Sequence, residues 1–375
     1  MSSAPSGELA VTNAGSTGMD ATAEGALEAA LVRPEDDLVA QDRALHEGVA
    51  LFDRGARGRL SLSGPKAAEL LTGLVTSDVL ALAPGHGQYG AMLTPKGKIV
   101  ADLRIFALAG DEPAVTSRLL VDTAPRATDN LLGTIRKYVN PRLAPYRDER
   151  ASLAVVGVHG PRAADVLAAA MALDASALAA LAPWSHRTAD VDGAAVIVVR
   201  VPELLVGGFD LFVPTAASPA LVERLRRAGA HPAGAATWEV ARVEAGRPEW
   251  GLDMDDATIP QEANFDELGG ISYTKGCYTG QETVARVHFR GHVNRHLRHL
   301  RFAGDLLAPR DATLVDEGGK PVGDVRSGVV SPRAGAIALA MVRREVAAGA
   351  RVLARWDGGE TEATVAALPY VAPGA

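Results

Sequence analysis

Cysteine is almost absent: one residue, Cys277, in a chain of 375. A lone thiol rules out an intrachain disulfide, so nothing in the sequence calls for an oxidising compartment. Long apolar runs are missing too, and no stretch approaches the ~18 residues of a membrane span. The first thirty residues lack both a basic start and a continuous apolar core, so no secretory signal is expected. There is no dinucleotide glycine fingerprint and no phosphate-binding P-loop, which removes support for nucleotide-driven chemistry. The formal net charge of -7 argues against wholesale coating of nucleic acid. A cytoplasmic protein with no membrane partner and no direct nucleic-acid partner is the expectation.

What is present is ordinary globular material, 47% hydrophobic and 22% charged. The length corresponds to about two to three domains. Residues 1–36, rich in Ala, Ser, Gly and Thr, read as a disordered tail. The segment Leu60 to Leu71 has an echo at Val156 to Leu167, offset by 96 residues. Both copies run from a short apolar strand through Gly-Pro into a helix, with proline at the first turn, where its missing N–H costs nothing. Two related α+β halves within residues 37–290 follow from that echo.

Strand patterns cover 99–108, 118–123, 195–201 and 209–213, while 65–75 and 218–229 are helical. After about residue 290 the texture changes. Short apolar runs alternate with turn sequences such as Asp357-Gly358-Gly359, so 291–375 is expected to be an antiparallel β-barrel.

Three clusters carry chemistry. The first is Lys275-Gly276-Cys277-Tyr278-Thr279-Gly280-Gln281-Glu282. A lysine two residues from a thiol favours the thiolate, and both side chains share one face if the segment is extended. The alternative is a small buried hydrophobe.

The second cluster runs from Gln88 and Tyr89 through the turn Thr94-Pro95-Lys96-Gly97 to Asp102, which follows apolar Ile99-Val100-Ala101. A carboxylate on a buried strand needs partners or a shifted pKa; the alternative is an edge-strand acid facing water. The third spans Trp238 to Gly251, where Arg242 sits one helical turn after Trp238. Arginine suits bidentate capture of a carboxylate, or a simple ion pair with a neighbouring glutamate.

In order along the chain, Tyr89…Gly97…Asp102, Gly208-Phe209-Asp210-Leu211, Arg242-Val243-Glu244-Ala245-Gly246, Ile259-Pro260-Gln261-Glu262 and the cysteine octet resemble the YgfZ-type folate-binding proteins. These are relatives of the aminomethyltransferase, the T-protein of the glycine cleavage system. The resemblance covers about residues 40–375. It implies an α+β fold of two related portions around a central folate channel, followed by a C-terminal β-barrel, with tetrahydrofolate or another reduced folate as cofactor.

The resemblance further implies that Tyr89 encloses the folate, Asp102 faces its N5/N10 region, Asp210 is a candidate for pterin recognition and Arg242 meets the tail. Cys277 and Lys275 would lie near the channel mouth. Those roles suit folate chemistry: a pterin wants a carboxylate and an aromatic slot, and its tail wants arginine.

Two departures separate this chain from the transferases. Ala101-Asp102 stands where they usually carry two adjacent acids, and they generally lack a cysteine at the position of Cys277. Both favour the YgfZ branch, and the resemblance to it implies a monomeric, tetrahydrofolate-binding accessory protein that supports iron–sulfur cluster assembly or repair and thereby tRNA modification. Its partners would be iron–sulfur client proteins. The alternative is an aminomethyltransferase that moves a one-carbon unit to tetrahydrofolate. A demethylating folate enzyme is a third possibility, although no flavin-binding segment accompanies it. The basic run Arg290 to Arg301 holds His292, His296 and His299. The run could also touch RNA phosphates, but no acid or thiol accompanies the histidines, and a solvated first strand of the barrel is expected there rather than an RNA contact or a metal site.

Overall fold

The computed structural model describes residues 37–109 and 116–367, so the tail expected at 1–36 lies outside the described residues. The chain opens with α1 (Leu38–Glu47), β1 (Ala50–Asp53), β2 (Gly58–Ser63), α2 (Ala67–Thr72), β3 (Gly87–Leu93), β4 (Ile99–Ala109), β5 (Thr116–Thr123), α3 (Thr128–Tyr138) and β6 (Tyr146–Asp148). A second series follows: β7 (Leu153–His159), α4 (Ala163–Met171), α5 (Ala175–Ala179), β8 (His186–Val191), β9 (Ala194–Arg200), β10 (Gly208–Pro214), α6 (Ser218–Arg227) and β11 (His231–Ala233).

One sheet has the order β3-β4-β5-β2-β6, the other β11-β1-β7-β10-β9-β8. The run β2-β5-β4-β3 thus repeats as β7-β10-β9-β8, matching the echo in the sequence. The strand that precedes each repeat joins the opposite sheet. Thus β1 pairs antiparallel with β7, and β6 pairs antiparallel with β2. This exchange interlocks the two units.

Side-chain alternation along the strands builds the layers. On β4, Ala101, Leu103, Ile105 and Ala107 pack with Leu71, Leu131 and Ile135 of the helices outside that sheet. On β10, Phe209, Leu211 and Val213 pack with Leu167 and Leu225 of the second unit's helices. The opposite faces meet between the sheets, where Phe106, Leu108 and Leu120 contact Val155, Ile197, Val199 and Phe212. Asp102 and Arg104 share the inward parity of Phe106, which places them in this same layer.

Beyond the sheets come α7 (Ala235–Glu244), α8 (Gln281–Arg290) and six strands: β12 (Arg295–Phe302), β13 (Thr313–Val315), β14 (Pro321–Ser331), β15 (Gly335–Arg343), β16 (Arg351–Trp356) and β17 (Gly359–Ala366). The strands close into an antiparallel barrel ordered β12-β15-β14-β13-β16-β17. Val240 and Val243 of α7 pack against Leu297, Ile337, Leu339 and Met341 of the barrel. The expected α+β fold with a C-terminal barrel is therefore observed. The basic stretch divides between the end of α8 and β12.

Candidate functional site

Where the inter-sheet layer approaches the loops before α8, its apolar filling gives way to aromatic rings around one acid. Tyr89 on β3 stacks on Phe265 at 4.9 Å between ring centroids, and Trp184 lies nearly parallel to it at 6.2 Å. The Arg247 guanidinium is 4.1 Å from the Tyr89 ring centroid and 5.6 Å from that of Trp184. Asp102 sits on β4, one strand from Tyr89, whose hydroxyl donates to its Oδ2 at 3.3 Å.

Asp102 Oδ1 accepts no hydrogen bond although it is buried, and Arg247 Nη2 is a buried donor without an acceptor. A buried acceptor and a buried donor with no partner in the protein are unusual in a folded chain. Burial raises the Asp102 carboxyl to about 6; Arg57 and Arg247 oppose this, while Glu249 adds to it. Burial also pushes the Tyr89 phenol well above its ordinary value, reinforced by Asp102. The result is a carboxyl that changes charge near neutral pH, beside an aromatic wall and a cation with a free donor.

A buried network of charges continues behind it. Arg104 donates through Nε to Asp122 Oδ1 at 2.7 Å, and through Nη1 to Asp210 Oδ2 at 2.6 Å and Glu203 Oε2 at 3.0 Å. Arg57 Nη2 lies 2.6 Å from Asp122, and Arg54 Nη2 lies 3.1 Å from Glu203. Burial alone would raise the carboxyls of Glu203 and Asp210. Their arginine neighbours prevail, holding Glu203 at about 2 and Asp210 well below the usual range. Since Arg104 belongs to one sheet and Asp210 to the other, this network fastens the units together.

The structure assigns different surroundings to the residues expected from sequence. Asp210 is fully buried and shared among Arg104, Arg54 and His159. Arg242 has no donor left for a ligand. Its Nε bonds Glu239 at 3.0 Å, Nη1 bonds Asp253 and the Arg247 carbonyl at 2.6 Å each, and Nη2 reaches Glu239 and Ser327 Oγ. It therefore ties α7 to the barrel strand β14, and the guanidinium facing the aromatic wall is that of Arg247, five residues on.

The cysteine octet is not an extended strand. Lys275 turns inward, and its ammonium donates to the carbonyls of Thr72, Val75 and Ser77 at 2.6, 2.6 and 2.9 Å. Burial draws Lys275 down to about 8. Cys277 is exposed, so the same-face arrangement expected for an extended segment does not form. Tyr278 is buried beside Tyr89 and Phe265, in the cluster that walls the site.

Gly280, at φ +82°, then turns the chain into α8. A Cβ there would lie 2.6 Å from the Thr94 carbonyl oxygen, and one on Gly97 would lie 2.7 Å from Thr283. Two segments almost two hundred residues apart are thus held in backbone contact. Replacing Lys275 with Met removes three charge-assisted bonds and should cost about 2–3 kcal/mol. Hydrogen exchange across residues 272–280 should accelerate in step; unchanged protection there would refute the anchoring role.

Trp184, Phe265 and Arg247 were not among the expected site residues. Arg247 lay inside a recognised cluster, four positions before Gly251, and its proximity to Tyr89 has no local signature. Trp184 and Phe265 carried no signal at all.

Two interlocked α+β units, with a buried carboxyl and an aromatic cluster beside the layer between their sheets, followed by a closed β-barrel, define the class. The chain belongs to the glycine cleavage T-protein family: the GCVT N-terminal domain matches residues 32–268 and the glycine cleavage T-protein C-terminal barrel domain matches residues 295–371. It is 32% identical over 322 residues to an aminomethyltransferase of Rubrobacter xylanophilus, covering 84% of this chain and 82% of the relative. A Synechococcus aminomethyltransferase is 28% identical over 337 residues, covering 89% and 90%. The crystal structure of glycine cleavage system aminomethyltransferase T from Bartonella henselae superposes with a TM-score of 0.78 over 89% of each chain, at 22% identity. That last likeness concerns the fold.

Proposed function

We propose that this chain binds a reduced folate in the slot formed by Tyr89, Trp184, Phe265, Asp102 and Arg247 and acts as a folate-dependent aminomethyltransferase. The observation that carries this reading is the buried Asp102 carboxyl, with one oxygen unpartnered beside a ring stack. The fit is chemical. A pterin needs an acceptor for its N–H groups and a flat apolar wall, which Asp102 and the aromatic residues offer. Arg247 offers a free donor to a carbonyl or carboxylate. When bound, a reduced folate supplies the amine that accepts a one-carbon unit. Asp102, poised near 6, can orient that amine and hold or release a proton at Oδ1. Relatives named aminomethyltransferase, aligned over most of the chain, support the same chemistry.

A second reading is favoured by Cys277, which the octet displays at the surface while Lys275 and Tyr278 anchor its flanks. In that reading the protein is a YgfZ-type accessory factor, binding folate without turnover and supporting iron–sulfur enzymes of the cytoplasm through the thiol. One set of measurements separates them. Methylene-tetrahydrofolate formed from an aminomethylated lipoyl carrier would establish the transferase. Tight folate binding without turnover, with Cys277→Ala abolishing function in cells, would establish the accessory role. Failure of the purified protein to bind reduced folate would remove both.

A further inference from the structure

α1 and α7 meet at three side chains used by neither reading, Asp42, His46 and Glu244. Asp42 and His46 occupy one face of α1, four residues apart, and Glu244 closes α7. Their ligand atoms lie within 4.8 Å of one another, the one such group of His, Cys, Asp and Glu side chains among the described residues. Asp42 is 5% exposed and Glu244 2%. His46 Nδ1 is 2.9 Å from the Asp42 backbone carbonyl and 3.3 Å from Asp42 Oδ1, and Nε2 lies 3.9 Å from Glu244 Oε2.

Three features point to a cation. Asp42 Oδ1 is buried and accepts no hydrogen bond, which is costly for a carboxylate oxygen. With Nδ1–H donated to the backbone carbonyl, the Nε2 lone pair faces a carboxylate oxygen, an arrangement that wants positive charge between them. That tautomer is also the one in which a metal-binding histidine is normally oriented, its second nitrogen hydrogen-bonded elsewhere.

The remaining charges facing the cluster come from the barrel. Arg333 Nη2 lies 3.1 Å from Glu244 Oε2 and its Nε 3.8 Å from Asp42 Oδ2. Ser331 Oγ donates to Glu244 Oε1 at 2.5 Å. Arg333 partly neutralises the two acids, but it reaches in from a surface turn with its side chain 45% exposed. It can withdraw into water at little cost, and Glu244 would keep the Ser331 bond.

We propose that Asp42, His46 and Glu244 form a site for one divalent transition-metal ion, in which Arg333 competes with the ion for the two carboxylates. One imidazole and two carboxylates suit zinc or manganese rather than calcium or magnesium, which prefer all-oxygen shells. Metal–ligand bonds of about 2.0–2.2 Å require donor atoms within about 4 Å of each other, so small side-chain rotations complete the site. Bound there, the ion would join the first helix to α7 and hold the acids that contact the barrel turn at Arg333.

Full-length protein carrying Cys277→Ser, to remove the thiol, would be freed of metal with chelator and titrated with ZnCl2 and then MnCl2 by calorimetry. One equivalent per chain is expected, with a melting temperature that rises and saturates at that ratio. His46→Ala should weaken binding at least tenfold, and Arg333→Ala should tighten it severalfold. The metal-free circular dichroism of both variants should match the parent. No saturable binding, or His46→Ala and Glu244→Gln proteins that bind as tightly as the parent, would overturn the site.

Discussion

Asp102→Asn is expected to make the protein more stable and less active at once. The carboxyl rises from 3.8 to about 6 because burial disfavours its charge, which corresponds to roughly 3 kcal/mol at full ionisation. The sign follows from proton binding. Between about pH 4 and pH 6 the folded chain holds a proton that the unfolded chain has released, so wild-type stability falls as pH rises through this window. Asparagine removes the titration while keeping the shape.

The variant should therefore match the wild type near pH 4, gain on it up to about pH 6, and keep a constant advantage above that. Urea denaturation at a series of pH values reads this directly, and a variant less stable than wild type at pH 8 would contradict it. Loss of the proton site should meanwhile lower one-carbon transfer by about 10²–10⁴-fold, the range typical of a positioned acid or base. Stability and activity moving in opposite directions would mark Asp102 as a residue retained for chemistry.

The second large effect is expected at Arg104. It is 1% exposed and touches three acids, Asp122, Glu203 and Asp210. In Arg104→Met, those acids keep only Arg54 and Arg57 as guanidinium partners. Removing one member of a buried ion network costs about 3–5 kcal/mol, because the charges left behind remain desolvated. The loss should appear as a lower urea midpoint. Arg104→Lys should recover only part of it, since an ammonium cannot span both sheets as the planar fork does. A Met variant within 1 kcal/mol of wild type would show that the units are held by apolar packing alone.

Much of the secondary structure was legible. Strands expected at 99–108 and 209–213 occur at Ile99–Ala109 and Gly208–Pro214. Both lie in single windows whose alternation is a local property. The turn Thr94 to Gly97 and the helix carrying Arg242 were readable for the same reason. The repeat was visible too, but not the exchange of β1 and β6 between sheets, because a strand's own residues do not name its partner.

The same division holds in the site. Order along the chain pointed to Tyr89, Asp102 and the cysteine octet as parts of one function. Which arginine is left with a free donor was another matter. Arg242 and Arg247 share one short stretch, and only the approach of Asp253 from the following turn and of Ser327 from the barrel strand β14 saturates the first. Lys275 likewise finds its carbonyls two hundred residues away, and burying it leaves Cys277 outside. Local pattern and motif order thus pointed to the superfamily, many of the elements and the inventory of reactive groups. Pairing across the fold decided which of those groups are consumed by the structure and which keep an unpartnered polar atom, because desolvation and hydrogen-bond saturation depend on neighbours remote in sequence.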